Sequence, residues 1–564
     1  MRNPPRPDRA RLAAHIEEFA RRIKLSGTME ERESFRYLER EMASYGYRTE
    51  LLAHDAYISL PGRARIEVGG ESLRCITHSM SLSTPAEGIC APLVYIGDGS
   101  AVSFASNSVS GKVVLVDGIA DEQVTALAAL HGAVGQIHIS PNEHLYEMCV
   151  SPVWGNPSQI TRPLLPSTVV CTIACDDGAA LKARSLSDET LSVKLWTEVD
   201  TGWRKTPLLV AELPPANAEH TDHPFVLLSG HHDTWHYGVM DNGGANATML
   251  EAARLLAERR DLWRRGLRLC FWSGHSHGRY SGSAWYADEH WDELNRRCAV
   301  HVNVDSTGGA GASVLANSAV IDELKTLAAE EIEAVSGQIH AGRRHQRVAD
   351  QSFWGIGIPS MFGSISHHPP GGVKRPSAHG WWWHTPHDLI EHMDLDNLDR
   401  DTAIVLAVLS RLLIDPVLPL DYTAFTASMR SELSALVAGL DGRLDITGLL
   451  GRLDALEAAA RTVNEMAKSA REGQRAEIDR ALMRVSRALV PINYTSGNRF
   501  SHDSALPHPA WPSLSGLRTL AELSEDAADT AFHVVSARQS RNLVTHSLGE
   551  AQAVLAALIE RRER

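Results

Sequence analysis

At 564 residues the chain is too long for one hydrophobic core, and three or four structural units are expected. A hydrophobic share of 43% with 22% charged residues is that of an ordinary globular protein. The formal charge of -14, with no dense basic run to set against it, argues against nucleic-acid binding.

The first residues, MRNPPRPDRARLAAHIEEFARR, contain no apolar leader, and nowhere do about eighteen apolar residues follow one another. No membrane span is expected, and the location read from this is cytoplasmic. Seven cysteines (75, 90, 149, 171, 175, 270 and 298) are spread through apolar runs and read as free thiols rather than a disulfide framework. Cys171 and Cys175 stand four apart without a second pair, so they are not assigned to zinc.

In chain order, residues 8 to 47 read as two helices, LAAHIEEFARRI and EERESFRYLEREMASYG, followed by an alternating strand in YRTELLAHDAYISL. From about Leu60 to Val199 short β-type runs are separated by Gly, Ser and Pro, and one helix, EQVTALAALHG, makes a β-α-β unit with KVVLVDG and AVGQIHIS. His144 and Glu147 lie in a loop of this region and could face a ligand, with a solvated loop the preferred reading.

The run FVLLSGHHDTWHYGVMDN (225 to 242) is the centre of the sequence. Phe225 to Ser229 is short, apolar and uninterrupted, as in a buried parallel strand, and it delivers His231 and Asp233 to the C-terminal end where open α/β sheets place their sites. His231 and Asp233 share a side if the segment is extended, so one can bind a metal while the other orients it. Asp241 follows in a glycine-bearing loop that opens a helix at about Gly244.

The pattern repeats in LRLCFWSGHSHGRYSGSAWYADEHW and in AVHVNVDSTGG, where Asp305 ends a strand. Three consecutive strands thus present His, Asp or Ser at their C-terminal ends. VADQSFWGIGIPSMFG reads as a short helix and a strand, and His384 stands in the loop after Trp381, Trp382 and Trp383, whose rings can shield a site from water. From Asp421 to Arg564 the chain is mostly amphipathic helix, interrupted by PINYTSGNRFSHDSALPHPAWPSLSG. The fold class expected is α/β, a mixed and mostly parallel sheet with flanking helices, plus a β-rich insert and a helical C-terminal region.

With these segments in hand the sequence resembles the zinc aminopeptidase and glutamate carboxypeptidase family, in the branch that also holds the transferrin receptor. RTELLAHDAYISLPG, KVVLVDG and EQVTALAALHGAVGQIHIS are similar to the branch's inserted protease-associated domain, and PVLPLDY with the helices after it to its dimerisation domain. The resemblance implies an N-terminal part of the peptidase-like domain over 1–60, the insert over 61–200, the metal-binding domain over 201–420 and a helical dimerisation region over 421–564, giving a homodimer. It places His231, Asp241, Asp305 and His384 at metal positions and Asp233 at the orienting position.

One departure stands out. The family carries two adjacent glutamates after the strand that here ends at Trp272, the first a general base and the second a metal ligand. Aligning Trp272, Gly278 and Trp285 puts His275 and Ser276 there instead. His275 is the candidate base, since imidazole titrates near neutral pH. Serine is a poor zinc ligand, so His277 is the candidate to replace the lost carboxylate, both imidazoles facing one way if the segment is extended. Alternatively the second metal is absent and these histidines fill space.

The expected cofactor is one or two divalent metal ions per chain, zinc foremost, with manganese, iron, cobalt or nickel admitted by a histidine-rich site. The expected function is metal-dependent hydrolysis of an amide or peptide-like bond in a small or short peptide-like substrate. The alternatives are another metalloenzyme chemistry, such as a lyase or unusual small-amide hydrolase, and a receptor-like scaffold. Specificity in the family comes from the insert and the irregular C-terminal segment, where Arg499 and His502 are candidates to meet a carboxylate.

Overall fold

A computed structural model describes residues 4–217, 222–369, 379–524 and 527–563. Two helices, Arg9–Phe19 and Met29–Ser44, lead into the strands β1 (Arg48–Val68), β2 (Glu71–Leu73), β3 (Cys75–Thr77), β4 (Ile89–Tyr95), β5 (Val113–Asp117), β6 (Gly135–Ile139) and β7 (Val169–Ile173). The second half contributes β8 (Ser192–Leu213), β9 (Phe225–His231), β10 (Gly266–Trp272), β11 (Cys298–Asp305) and β12 (Ser360–Ser364).

These strands form one mixed sheet in the order β12-β11-β9-β10-β8-β4-β5-β6-β7-β3, with β1 paired to β8 and β2. The strands β10, β9, β11 and β12 are mutually parallel, as are β4 to β7. β9 has parallel neighbours on both sides and every residue of it is buried, which is why Phe225 to Ser229 reads as a continuous apolar run without alternation. Two parallel partners also align the C-terminal ends of β9, β10 and β11 on one edge, with His231 level with Trp272.

The expectation of separate short strands between residues 60 and 199 underestimates two of them. β1 and β8 run 21 and 22 residues and pair antiparallel along almost their whole length, from Arg48 opposite Glu212 to Glu67 opposite Lys194. β8 therefore serves both lobes of the sheet: its end (Leu209 to Leu213) pairs with β10 and its beginning (Ser192 to Leu195) with β4. β1 absorbs Pro61 beside a register shift between Pro61 and Ala64.

The short helix expected in VADQSFWGIG does not form, and residues 348–359 are turns and extended chain. Ala349 and Asp350 sit at φ of 49° and 53°, and Gly357 at 90°. A Cβ on Gly357 would lie 2.5 Å from the Arg487 Cα, so this loop is pressed against the helix Glu472–Tyr494 and follows its surface instead of coiling. At the C-terminal end one helix, Ser515–Glu522, is followed by a 34-residue helix, Thr530–Glu563.

The C-terminal helices share the hydrophobic core of the sheet's flanking helices, Leu433, Leu453, Leu489 and Leu555 packing in the same cluster as Val226 and Leu250. A buried ion pair pins the two together. Arg265, at the start of β10, donates to Asp479 Oδ2 from Nε at 2.9 Å and from Nη2 at 2.5 Å, while its Nη1 serves the Leu412 and Asp415 carbonyls. Removing one partner strands a buried charge, at a cost of about 3–5 kcal/mol. Arg265→Ala is expected to lower the thermal unfolding temperature clearly, while Arg63→Ala, which breaks an exposed pair with Glu198, leaves it unchanged. Equal effects of the two would count against the pinning role.

Candidate metal centre

His231 closes β9 and Asp305 closes β11. A Cβ on Gly230 would lie 2.7 Å from the Val304 carbonyl oxygen, so glycine before His231 lets these two strand ends come close. Behind them, the Asn242 and Asn246 side-chain amides donate to the His231 carbonyl at 3.2 and 2.8 Å, and Asn242 also reaches Val304, tying the strands to the loop that bears Asp241. The Asp388 carboxylate accepts the N–H groups of Met240 and Asp241 at 2.9 and 3.0 Å and fixes that loop from the other side. Burial pushes the Asp388 carboxyl up to about 7.

Two imidazoles flank Asp241. His231 Nε2 is 3.0 Å from Asp241 Oδ1 and 3.7 Å from Asp305 Oδ1, and His384 Nε2 is 3.1 Å from Asp241 Oδ2. The other nitrogen of each ring faces a carbonyl: His231 Nδ1 lies 2.9 Å from the Asp233 oxygen and His384 Nδ1 2.7 Å from that of Glu147. A carbonyl can only accept, so Nδ1 carries the proton in both rings. A neutral ring then presents its Nε2 lone pair to a carboxylate lone pair, and that juxtaposition is stable only with a proton or a cation between them. The electrostatics agree. Burial disfavours charge on His231, but Asp241 and Asp305 outweigh it and hold the ring well above its usual value. Burial likewise opposes ionisation of Asp241, and His231 and His384 overcome it, holding the carboxyl well below its usual range. The residues fit a bound cation.

His275 joins this group. Its ring stacks on His231 with centroids 3.7 Å apart, and His231, His275 and Asp305 offer ligand atoms that all lie within 4.8 Å of one another. His275 Nδ1 is 2.8 Å from Asp350 Oδ2, and Asp350 Oδ1 accepts from the Ser283 hydroxyl at 2.7 Å. The carboxylate leaves Nε2 as the free donor, as in the carboxylate-histidine pairs behind metal ligands. His275 thus stands among the metal-ligating atoms, where the sequence reading had it as a base beside them. Asp233, fully buried, takes the His275 and Ser276 N–H groups at 3.2 and 2.9 Å and the Ser26 hydroxyl at 2.7 Å, so it shapes the turn that presents His275.

His277 is a correction. It was expected to reach the site beside His275, which required an extended segment. Residues 273–280 are bends and turns, with Arg279 and Tyr280 at positive φ, so the two rings diverge. His277 Nδ1 pairs with the Ser26 hydroxyl at 2.9 Å, its ring packs on Trp235 at 4.5 Å, and burial lowers it to about 4.

Glu147, read as solvated, is the second correction. It lies against the His384 loop: its N–H donates to the His384 carbonyl at 3.0 Å, its own carbonyl accepts from His384, and its carboxylate Oε2 is 3.6 Å from His236 Nε2. Burial pushes its carboxyl up to about 8. Of the three tryptophans, Trp383 stacks on His384 at 3.5 Å, whereas Trp381 and Trp382 cover His144 and His392. Trp235, unremarked in the sequence, stands 5.3 Å from His384. Arg499 and His502 are engaged elsewhere, with the Ile356 carbonyl and Asp288, and all seven cysteines are free thiols. Asp350 gave no signal in the sequence, because it is an isolated carboxylate in a loop 75 residues from its partner, whereas Glu147 was noticed but read as a solvated loop residue.

Comparison with known proteins bears on the same stretch. Residues 209–409 match the profile of peptidase family M28. Aminopeptidase YwaD of Bacillus subtilis (strain 168) is 26% identical over 350 residues, covering 60% of this chain and 70% of its own length. A Zea mays protein named "Probable glutamate carboxypeptidase VP8" is 25% identical over 265 residues, 43% of this chain and 36% of that protein, so the chain spans little more than a third of that relative. Among solved structures, an aminopeptidase from Aneurinibacillus sp. strain AM-1 superposes with a TM-score of 0.56 at 22% identity, over 72% of this chain and 94% of that one. BSAP, a zinc aminopeptidase from Bacillus subtilis, gives 0.56 at 20%, over 73% and 96%. At these identities the structural likeness is one of fold. From the sequence match and the strand-end donors together, the chain carries a peptidase family M28 domain within residues 209–409.

Proposed function

We propose that the chain is a metal-dependent hydrolase that cleaves an amide or peptide-like bond in a small substrate at an atypical, histidine-containing centre. The observation that carries this is the convergence of His231, His275 and Asp305 with Asp241 and His384 at the C-terminal edge of the sheet. The M28 match and the aminopeptidases among its relatives support hydrolysis of peptide bonds as the reaction type. His231, His275, Asp305 and Asp241 would hold one divalent cation, zinc foremost, and His384 with the second oxygen of Asp241 is placed to hold part of a second. A bound divalent cation supplies Lewis-acid polarisation of a carbonyl and lowers the pKa of water.

The side chains around it divide the remaining work. Asp350 holds the Nδ1 proton of His275, and the Asp233 carbonyl holds that of His231, so both rings keep Nε2 toward the centre. The Trp383 and Trp235 rings keep water from the His384 side. With His275 among the donors, the proton acceptor is a different group, and we assign it to Glu147. It lies half-buried against the His384 loop, with His236 Nε2 3.6 Å from its carboxylate. Retention of the donor set disfavours a pure scaffold. The proposal includes a cytoplasmic location and a homodimer through residues 421–564, for which the exposed Phe532, Val535 and Leu543 on the last helix offer an apolar face. No helix among the described residues is long and apolar enough to cross a membrane.

The reading is tested with zinc-loaded protein against a panel of short peptides and small amides. Release of an amine or amino acid is expected, and inertness toward the whole panel would shift the reading to another metalloenzyme chemistry. Glu147→Gln is expected to lower kcat by about 10²–10⁴-fold, the usual contribution of a positioned acid or base, with metal content unchanged; full activity in this variant would return the proton transfer to another group. Asp350→Asn is expected to weaken metal affinity by roughly 10–100-fold, as loss of a carboxylate behind a histidine ligand does, measured by competition with a chelating indicator. For the dimer, sedimentation equilibrium should give twice the 61.7 kDa chain mass; a single-chain mass would remove it.

A further inference from the structure

Apart from the metal centre, the described residues enclose a cavity of about 310 Å³, walled by residues 344–348, Trp354 and the irregular stretch from Asn493 to Pro512. Two guanidinium groups front it. Arg344 lies over the Tyr494 ring at 4.3 Å and donates to the Asn493 carbonyl. Arg347 lies over Trp154 at 4.1 Å, and its Nε and Nη2 are buried without a hydrogen-bond acceptor. The Tyr494 hydroxyl is buried and unpartnered as well. Among the lining residues Glu122 is the one carboxylate, and Arg279 already engages it at 2.8 Å.

A guanidinium edge withdrawn from water with no acceptor is costly, and the cost disappears when an anion fills it. Nε and Nη2 together form the fork that matches two carboxylate oxygens side by side. Trp354, Pro507, Pro509 and Ala510 also line the cavity, beside His345 and His508, so it offers apolar surface to the rest of the occupant. We propose that this cavity binds a carboxylate carried on an apolar body, with Arg347 holding the carboxylate.

Two aromatic rings separate Arg347 from the metal centre. Trp154, under Arg347, packs on Tyr280 at 4.2 Å, and Tyr280 meets the His275 ring edge-on at 4.7 Å. Arg347 also stands three residues before Asp350, which holds His275. As a substrate subsite the inference rests on the hydrolase reading; as a binding site it does not.

The test is calorimetric titration of the full chain with phenylacetate, once stripped of metal by chelator and once zinc-loaded, with phenylacetamide and inorganic phosphate as comparisons. Phenylacetate is expected to bind in both forms. Phenylacetamide and phosphate should bind weaker by roughly tenfold or more, and Arg347→Gln should weaken phenylacetate by a similar factor, with Arg347→Lys between. Equal binding of acid and amide would overturn the proposal, and that comparison needs no variant to fold. So would unchanged binding in Arg347→Gln, or binding only when zinc is loaded, which would put the carboxylate on the cation. Failure to hydrolyse any amide would remove the hydrolase reading and leave this result standing.

Discussion

Asp241 and Asp305 lie together at the C-terminal edge of a parallel sheet, and neutral His231 and His384 rings turn lone pairs, not protons, toward them. The protons of His231 and His384 are committed at Nδ1 to the carbonyls of Asp233 and Glu147. Burying such a set without compensation would be expensive, and a divalent cation is the natural compensation. The surrounding structure serves to hold that arrangement. Asp388 grips the Asp241 loop, Asn242 and Asn246 lock the ends of β9 and β11, and Asp233 forms the turn after β10. His384 and Ser306 sit at positive φ beside the donors, a conformation that a non-glycine residue holds only when its neighbours determine it.

The exchange of two glutamates for His275 and Ser276 changes which groups do which work. A glutamate base sits beside the cation and moves protons, whereas His275 stacks on His231 and points a lone pair into the donor set because Asp350 takes its other proton. In the proposed reading the proton transfer falls instead to Glu147, which enters from the loop after β6.

Much of this was legible in the sequence, for physical reasons that differ between residues. Phe225 to Ser229 announced a central strand because a strand buried on both faces has no polar alternation, and the chemistry of its end followed directly. His231 and Asp305 stood out because each ends a strand, whereas the metal positions of Asp241 and His384 came from the family resemblance; the structure brings all four together. His277 was misplaced because side-chain direction was inferred from an extended backbone, and the Gly274 and Gly278 around it let the chain turn instead. Asp350 was not legible and Glu147 was read the wrong way, since a lone carboxylate in a loop acquires meaning only from what the fold brings against it. The helix expected around Phe353 failed for a related reason: its backbone follows the surface of the helix Glu472–Tyr494, which local propensity does not encode.

The central claim is that these side chains hold a cation, and metal content tests it most directly. Elemental analysis of protein purified without chelator or added metal is predicted to give at least one equivalent of divalent metal per chain, zinc foremost, falling well below one in His231→Ala/Asp305→Ala protein of equal folded content. No bound metal in the unmodified chain, even after incubation with zinc and removal of the excess, would contradict the account.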